Sequence, residues 1–119
     1  MTSDTDPVTT RPAASAVVIV LTTLPADFDA DVFAQTLVEE RLAACVSVGA
    51  PMTSIYTWKG AVERASERQL LVKTVGDRVP LIQARLATLH PYDVPELLVL
   101  PAADGGEAYL AWVRECTAG

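Results

Sequence analysis

The sequence predicts an α+β domain in which a four-stranded antiparallel sheet carries two helices on one face. Apolar runs at residues 16–21 and 97–100 are typical of strands, and two stretches between them place apolar residues at helical spacing. A long middle segment, 46–75, contains the turn signal Lys59-Gly60. The order of elements is then β-α-β-β-α-β-α, which is the ferredoxin-like βαββαβ sandwich with an additional C-terminal helix.

Length and composition indicate one folded domain preceded by a tail. The chain has 119 residues, of which 50% are hydrophobic, and this length is typical of a single domain. Residues 1–15 are rich in Thr, Ser, Pro and Asp, so they cannot bury enough apolar surface to offset the cost of ordering. We therefore expect a flexible N-terminal tail at 1–15 and a single domain at 16–119.

The charge of the chain argues against two classes of partner. The formal net charge is -6 at pH 7, whereas nucleic acid is bound through Lys and Arg at its phosphates and membrane surfaces attract basic patches. No apolar run approaches the roughly 20 residues that span a bilayer. The two cysteines lack CxxC or zinc-finger spacing. We therefore expect reduced thiols and a cytoplasmic protein that binds neither nucleic acid nor membrane.

The first strand and the first helix follow from composition and spacing. Residues 16–21 form a continuous apolar run that favours a strand buried on both faces, and residues 22–25 close it. Asp27 or Asp29 can cap the next helix. Its apolar residues recur at helical spacing and are Phe28, Val32, Phe33, Leu37 and Val38. We expect this helix to end at about Leu42.

Residues 46–75 predict one long hairpin. Gly49-Ala50-Pro51 indicates a bulge or bend, because proline cannot donate to the hydrogen-bond ladder. Alternation from Thr53 onward places Tyr56 and Trp58 on the same face. A hairpin of this length is not stable alone, so we expect it to pack on the helices or on another chain.

A second helix is predicted after the hairpin. Asp77 can cap it, and Pro80 lies in its first turn, where the missing N–H costs nothing. The helix should stop near Leu89, because His90 precedes a proline and such residues avoid helical geometry. A short strand at 96–100 and an amphipathic helix at 107–116 complete the order.

Five segments of the sequence resemble the CutA, or divalent-cation-tolerance, family in their order and spacing. The resemblance covers about residues 16–115, and the combination is specific although no single segment is. The segments are Glu40-Arg41-Leu42-Ala43-Ala44-Cys45-Val46, Ser54-Ile55-Tyr56-Thr57-Trp58-Lys59-Gly60, Glu67 with Leu70-Leu71-Val72-Lys73-Thr74, His90-Pro91-Tyr92-Asp93-Val94-Pro95-Glu96, and Tyr109-Leu110-Ala111-Trp112.

The resemblance implies a tight homotrimer, in which long hairpins embrace neighbouring subunits, and an association with copper tolerance and divalent metal binding. The sheet supports oligomerisation independently, because the face without helices needs burial elsewhere. Two other functions stay open beside metal tolerance. One is a small-molecule sensor or signalling module of the PII type, by analogy of fold alone, and the other is a structural trimeric scaffold.

A divalent metal, possibly Cu(II), is the cofactor that we expect, and no organic cofactor is predicted. The candidate ligands are His90, Asp93, Glu96 and Cys45, since imidazole suits Cu(II) and thiolate suits Cu(I). Each has a structural alternative. His90 can bond backbone carbonyls at a helix end, Cys45 can be a small buried hydrophobe, and Asp93 can be a turn residue.

A pocket between subunits is the second candidate site, and its predicted residues are Trp58, Glu67, Lys73 and Tyr92. Glu67 and Lys73 lie on one strand at even separation, so their side chains share a face. The alternative is a solvated or salt-bridged strand face, with Trp58 as a packing anchor against a neighbouring chain.

No motif supports catalysis. GxSxG, HExxH and Gly-rich phosphate loops are absent from the sequence, which contains one histidine. We therefore expect a protein that is not an enzyme.

Overall fold

A computed structural model describes residues 11–119 and has the predicted α+β architecture. Its strands are β1 (Val17–Pro25), β2 (Cys45–Val48), β3 (Met52–Trp58), β4 (Ala61–Val75) and β5 (Leu98–Pro101). Its helices are α1 (Ala30–Glu39), α2 (Val79–Leu89) and α3 (Glu107–Thr117), and a 3-10 turn, Gly76–Arg78, joins β4 to α2. Within the described range, no helix is long and apolar enough to cross a membrane.

The sheet is antiparallel throughout, and its strand order is β2-β4-β1-β5. The strand β3 pairs with the first part of β4, on the same edge as β2, which pairs with the later part. Val48 pairs with Leu70 and Met52 pairs with Glu67, so the bent β2–β3 strand carries one residue more than β4 over this stretch. An extra residue on one strand is a bulge. The predicted bulge at Gly49-Ala50-Pro51 is confirmed, and the sheet has the width of four strands.

The hairpin turns at the predicted residues. Lys59 and Gly60 have φ values of 51° and 82°. Two consecutive residues with positive φ form the tight turn whose twist matches that of the flanking strands. The β3–β4 ribbon therefore extends as a regular arm from the sheet.

The main core lies between the sheet and the helices α1 and α2. The strands contribute Val18, Val20, Leu70 and Val72, which share one face of the sheet and are fully buried. Helical residues complete it with Phe33, Leu37, Ile82 and Leu86. Burial of each such aliphatic or aromatic side chain contributes roughly 1.5–3 kcal/mol, so this layer holds the sheet and both helices together.

The opposite side of the sheet presents an apolar surface that α1 and α2 do not cover. The pairing register places Ile19, Leu21, Leu71, Leu98 and Leu100 on this side, which we call the open sheet face. Leu98 is 55% exposed and Leu100 is 47% exposed. The helix α3 covers one end of the same side, through a second apolar cluster that is formed by Val17, Ala44, Val75 and Val113.

The first helix ends earlier than predicted, at Glu39 instead of about Leu42. The chain leaves it through Arg41, whose φ of 60° is left-handed, and the N–H of Leu42 donates back to the carbonyl of Leu37. The Arg41 guanidinium donates to the carbonyls of Glu115 and Ala118, at 3.2 and 3.0 Å. These long-range bonds to the end of α3 hold a conformation that an arginine rarely adopts.

Two other predicted boundaries are wrong. The strand β1 runs on to Pro25, because 22–25 continue its pairing with β4. Asp77 does not cap α2. It lies in the 3-10 turn, and Arg78 is the N-cap residue without a side-chain capping bond. The Arg78 guanidinium instead donates to the carbonyl of Thr117, so it ties α2 to the end of α3.

Part of the segment predicted as a flexible tail contacts the domain. Residues 1–10 lie outside the described residues, so the prediction for them stays untested. The Asp77 N–H donates to the Ala14 carbonyl at 3.0 Å. The Arg114 side chain donates to the Ser15 carbonyl at 2.8 Å. The last residues before β1 therefore link it to the 3-10 turn that precedes α2 and to α3.

Removing residues 1–15 should lower the melting temperature, and removing residues 1–10 alone should not. The longer deletion removes two hydrogen bonds of about 1 kcal/mol each, which corresponds to a shift of roughly 4 °C or more in a domain of this size. Thermal unfolding of both truncations at one protomer concentration measures the difference. Identical melting temperatures would show that these bonds do not stabilise the domain.

Candidate functional site

A cleft of about 680 Å³ opens between the strand β3 and the loop that follows α2. The strand provides Ser54, Ile55, Tyr56 and Trp58, the loop provides Pro91, Tyr92, Asp93, Val94 and Glu96, and Thr23 and Glu67 complete the lining. Three of the four predicted pocket residues therefore meet here, namely Trp58, Glu67 and Tyr92. Two of the predicted metal ligands, Asp93 and Glu96, line the same cleft.

Glu67 and Tyr92 form the polar centre of the cleft. Glu67 is only 6% exposed, and the Tyr92 hydroxyl donates to its Oε2 atom at 2.8 Å. Burial raises the pKa of Tyr92 to about 12, and the hydrogen bond and the charge of Glu67 act in the same direction. The phenol therefore stays protonated at neutral pH and donates to the carboxylate.

His90 holds the loop of the cleft against β1. Its Nε2 atom lies 2.6 Å from the carbonyl oxygen of Thr23, and the N–H of Tyr92 donates to its Nδ1 atom at 3.1 Å. A carbonyl only accepts, so Nε2 carries the proton and the lone pair of Nδ1 is already used. His90 is 8% exposed, and its ring packs edge-on against Phe33, at 6.3 Å between centroids.

The predicted metal ligands do not converge within one chain. Asp93 and Glu96 are exposed in the cleft, both nitrogens of His90 are bonded to backbone, and Cys45 lies on β2. Among residues 11–119, no group of three or more His, Cys, Asp and Glu side chains is placed to hold a metal ion. A metal site built from these residues needs donors from outside the single chain, and it stays a prediction.

Lys73 is the predicted pocket residue that does not line the cleft. It shares a face of β4 with Glu67, as predicted, but lies six residues further along the strand, which is about 20 Å. Its ammonium donates to the hydroxyl of Ser47 and lies 3.8 Å from the sulfur of Cys45. Lys73 and Cys45 are paired across β2 and β4, so these two predicted site residues are neighbours on the sheet instead of in the cleft.

Thr23 and Ser54 are lining residues that the sequence did not indicate. Thr23 belongs to the segment 22–25 that was predicted to close the strand, and it acts through its backbone carbonyl. Ser54 lies on β3 two residues before Tyr56 and therefore shares its face. Alternation along β3 was the available signal for Ser54, whereas a carbonyl has no signal in the sequence.

Comparison with known proteins identifies the family. A family model described as CutA1 divalent ion tolerance protein matches residues 18–116. The divalent-cation tolerance protein CutA of Thermus thermophilus is 48% identical over 99 residues, which are 83% of this chain and 96% of that protein.

Solved structures of CutA proteins have the same fold as this chain. The divalent cation tolerance protein (Cut A1) from Thermus thermophilus superposes with a TM-score of 0.82 at 47% identity, covering 86% of this chain and 99% of that one. The periplasmic divalent cation tolerance protein CutA from Archaeoglobus fulgidus superposes with a TM-score of 0.80 at 29% identity, over 85% and 98% of the two chains. This chain belongs to the CutA1 divalent ion tolerance family.

Proposed function

We propose that this protein acts in divalent-cation tolerance as a homotrimer without catalytic turnover, and that it binds a divalent cation, with Cu(II) preferred, through Asp93 and Glu96. One observation carries the metal site: both carboxylates are exposed in the same cleft, and no Lys or Arg is among its lining residues. Affinities of a given site rise along the first-row divalent metals to Cu(II).

The trimer is supported by the open sheet face. Five aliphatic side chains share it, and two of them, Leu98 and Leu100, are about half exposed in the single chain. A contiguous apolar surface of this kind is typical of a protein interface. The number three follows the resemblance to the family, since a flat apolar face does not by itself select a symmetry.

Assembly also supplies the additional donor atoms that the metal site needs. Asp93 and Glu96 offer two oxygen donors, and a neighbouring chain that approaches the cleft adds further donors. Cys45 and Lys73 lie on the same side of the sheet as Leu71, so assembly through this face covers the thiol instead of presenting it to an external metal.

A titration of copper tests the metal site. Calorimetry compares the wild type with the double variant Asp93→Asn/Glu96→Gln, and the control Glu107→Gln/Glu115→Gln removes the same charge from exposed positions of α3. We expect affinity to fall at least about tenfold in the cleft variant, since even weaker perturbations around a metal cost that much. Equal copper affinity in all three proteins would contradict a site at Asp93 and Glu96.

The same titration decides the predicted role of His90. The variant His90→Gln keeps an N–H donor that can reach the Thr23 carbonyl, but it removes the imidazole. If His90 is a ligand, copper affinity falls in this variant. If its role is to hold the loop, as its two backbone bonds favour, copper affinity stays close to that of the wild type.

A cytoplasmic location is part of the proposal. It is supported by the two cysteines, which are both free, because structural disulfides are typical of oxidising compartments. The Archaeoglobus fulgidus relative, in contrast, is described as periplasmic. Fractionation of the source cells, with a thiol-labelling assay of Cys45 and Cys116, distinguishes the two compartments.

A further inference from the structure

The cleft has a chemical composition that a metal ion alone does not use. Three aromatic rings line it, from Tyr56, Trp58 and Tyr92, together with the carboxylates of Glu67, Asp93 and Glu96. Its volume of about 680 Å³ lies within the range of roughly 300–1,000 Å³ that is typical of small-molecule pockets. The size and the aromatic walls point to an organic ligand, and the charge points to a cation.

Glu67 is the most buried of the three carboxylates that line the cleft. It is more than nine-tenths buried, and among residues 11–119 neither of the salt bridges involves it. Its Oε2 atom accepts from Tyr92, and no donor in that part of the chain bonds its other oxygen. Among residues 11–119 this second oxygen is not one of the buried atoms that lack a partner, so it is accessible from the cleft that Glu67 lines, where a ligand with a positive N–H group can donate to it.

The aromatic side chains lie where such a ligand would extend. Tyr56 and Trp58 share a face of the β3–β4 ribbon with Glu67, since Met52 pairs with Glu67 and alternate residues of β3 point the same way. Faces of tyrosine and tryptophan rings attract cations. The chain itself shows this preference, because the Lys59 ammonium lies 5.8 Å from the ring centroid of Trp58.

We propose that this cleft binds an organic cation that carries a primary ammonium group on a short alkyl chain. The ammonium donates to the free oxygen of Glu67, and the alkyl chain packs on Tyr56 and Trp58. The exposed carboxylates of Asp93 and Glu96 hold a second ammonium group, so a linear diamine fits better than a monoamine. This ligand class goes beyond metal tolerance. The amine site shares Asp93 and Glu96 with the proposed copper site, and Glu67 and the aromatic rings, which the copper site does not use, distinguish the two.

Calorimetric titration of putrescine, a four-carbon diamine, into the assembled protein tests the proposal. Butanediol, which has the same chain length and no charge, is the matched probe. We expect putrescine to bind and butanediol not to bind. The absence of a putrescine signal up to about 10 mM, beyond the weakest range of specific binding, would overturn the proposal, as would equal binding of the two probes.

Two variants with the same change of charge locate the site. Glu67→Gln keeps an acceptor oxygen for the Tyr92 hydroxyl and removes the charge, while Glu107→Gln makes the same change at an exposed position of α3. Charged hydrogen bonds are about twice as strong as neutral ones, so we expect putrescine affinity to fall about tenfold or more in Glu67→Gln and to stay within about twofold in Glu107→Gln. Equal losses in both, or no loss in Glu67→Gln, would place the amine elsewhere.

A third variant covers the case in which Glu67→Gln fails to fold. Trp58 is 44% exposed, so Trp58→Leu leaves the main core intact and removes only the ring. Putrescine binding should weaken several-fold, because the alkyl chain loses the ring on which it packs, and unchanged binding would overturn the role of the aromatic wall. Copper titration of the same variant should match the wild type, so failure of the amine site and failure of the metal site give different results.

Discussion

Replacing Leu98 with lysine should separate the assembly into single chains. Leu98 lies on β5 within the open sheet face and is 55% exposed in the isolated chain. In the trimer that we propose, this face is covered by neighbouring copies, so each subunit would have to bury an ammonium group without a partner. Such burial costs several kcal/mol per ion. Size-exclusion chromatography with light scattering measures the mass of the variant.

Val32→Lys is the matched control for this experiment. Val32 is 59% exposed and lies on α1, away from the open sheet face. Both variants gain one charge at an aliphatic residue of similar exposure, so they perturb the single chain alike. We expect Val32→Lys to keep the mass of the wild type. If Leu98→Lys also keeps it, the open sheet face is not the interface.

Replacing His90 with alanine should lower the free energy of unfolding by about 2–4 kcal/mol, as expected for two lost hydrogen bonds and a small cavity. His90 is 8% exposed, and its imidazole bonds the Thr23 carbonyl and the Tyr92 N–H. Without it, the loop that carries Tyr92, Asp93 and Glu96 loses its connection to β1. Thermal unfolding at a fixed protomer concentration measures the effect, since melting of an oligomer depends on concentration.

His90→Gln separates the hydrogen bonds from the packing. Its terminal amide can replace the donor to Thr23 but not the ring that packs on Phe33. We therefore expect a melting temperature between those of wild type and His90→Ala. If His90→Ala has the same melting temperature as the wild type, the loop is held by other contacts, and the role that the hydrogen bonds indicate for His90 is wrong.

The order of elements was predictable because it depends on local patterns. The apolar run of β1, the Lys59-Gly60 turn and the pre-proline His90 each determine the backbone within a few residues. Asp29 also caps α1, as one of the two predicted candidates, by accepting from the N–H of Val32 at 3.1 Å. These features agree with one another, which makes the ferredoxin-like topology recognisable.

Features that depend on contacts between distant residues were not predictable. Arg41 ends α1 because its guanidinium bonds carbonyls of α3, 74 and 77 residues further along the chain. His90 finds its partner at Thr23, 67 residues before it. No local pattern shows which carbonyl will face a given side chain, so both the early end of α1 and the role of His90 emerged only from the structure.

The candidate site was predictable only in part, because it also depends on how far apart residues lie in the folded chain. Trp58, Glu67 and Tyr92 meet in a cleft of the single chain, while the predicted pocket between subunits stays a prediction. Lys73 does not line the cleft. An even separation along β4 puts it on the same face as Glu67, but six residues of strand keep the two side chains apart. Alternate residues of a strand share a face, whereas the distance along the strand decides whether two side chains share a site.

A crystal structure grown with copper tests the central claim most directly, namely that an assembled trimer holds a cation in this cleft. Anomalous scattering at the copper edge locates the metal independently of the protein density. We expect three chains around a threefold axis with their open sheet faces covered, and copper within about 2 Å of carboxylate oxygens of Asp93 or Glu96, as for other first-row metals bound by oxygen. Copper at Cys45, or chains that leave Leu98 and Leu100 exposed, would contradict the account.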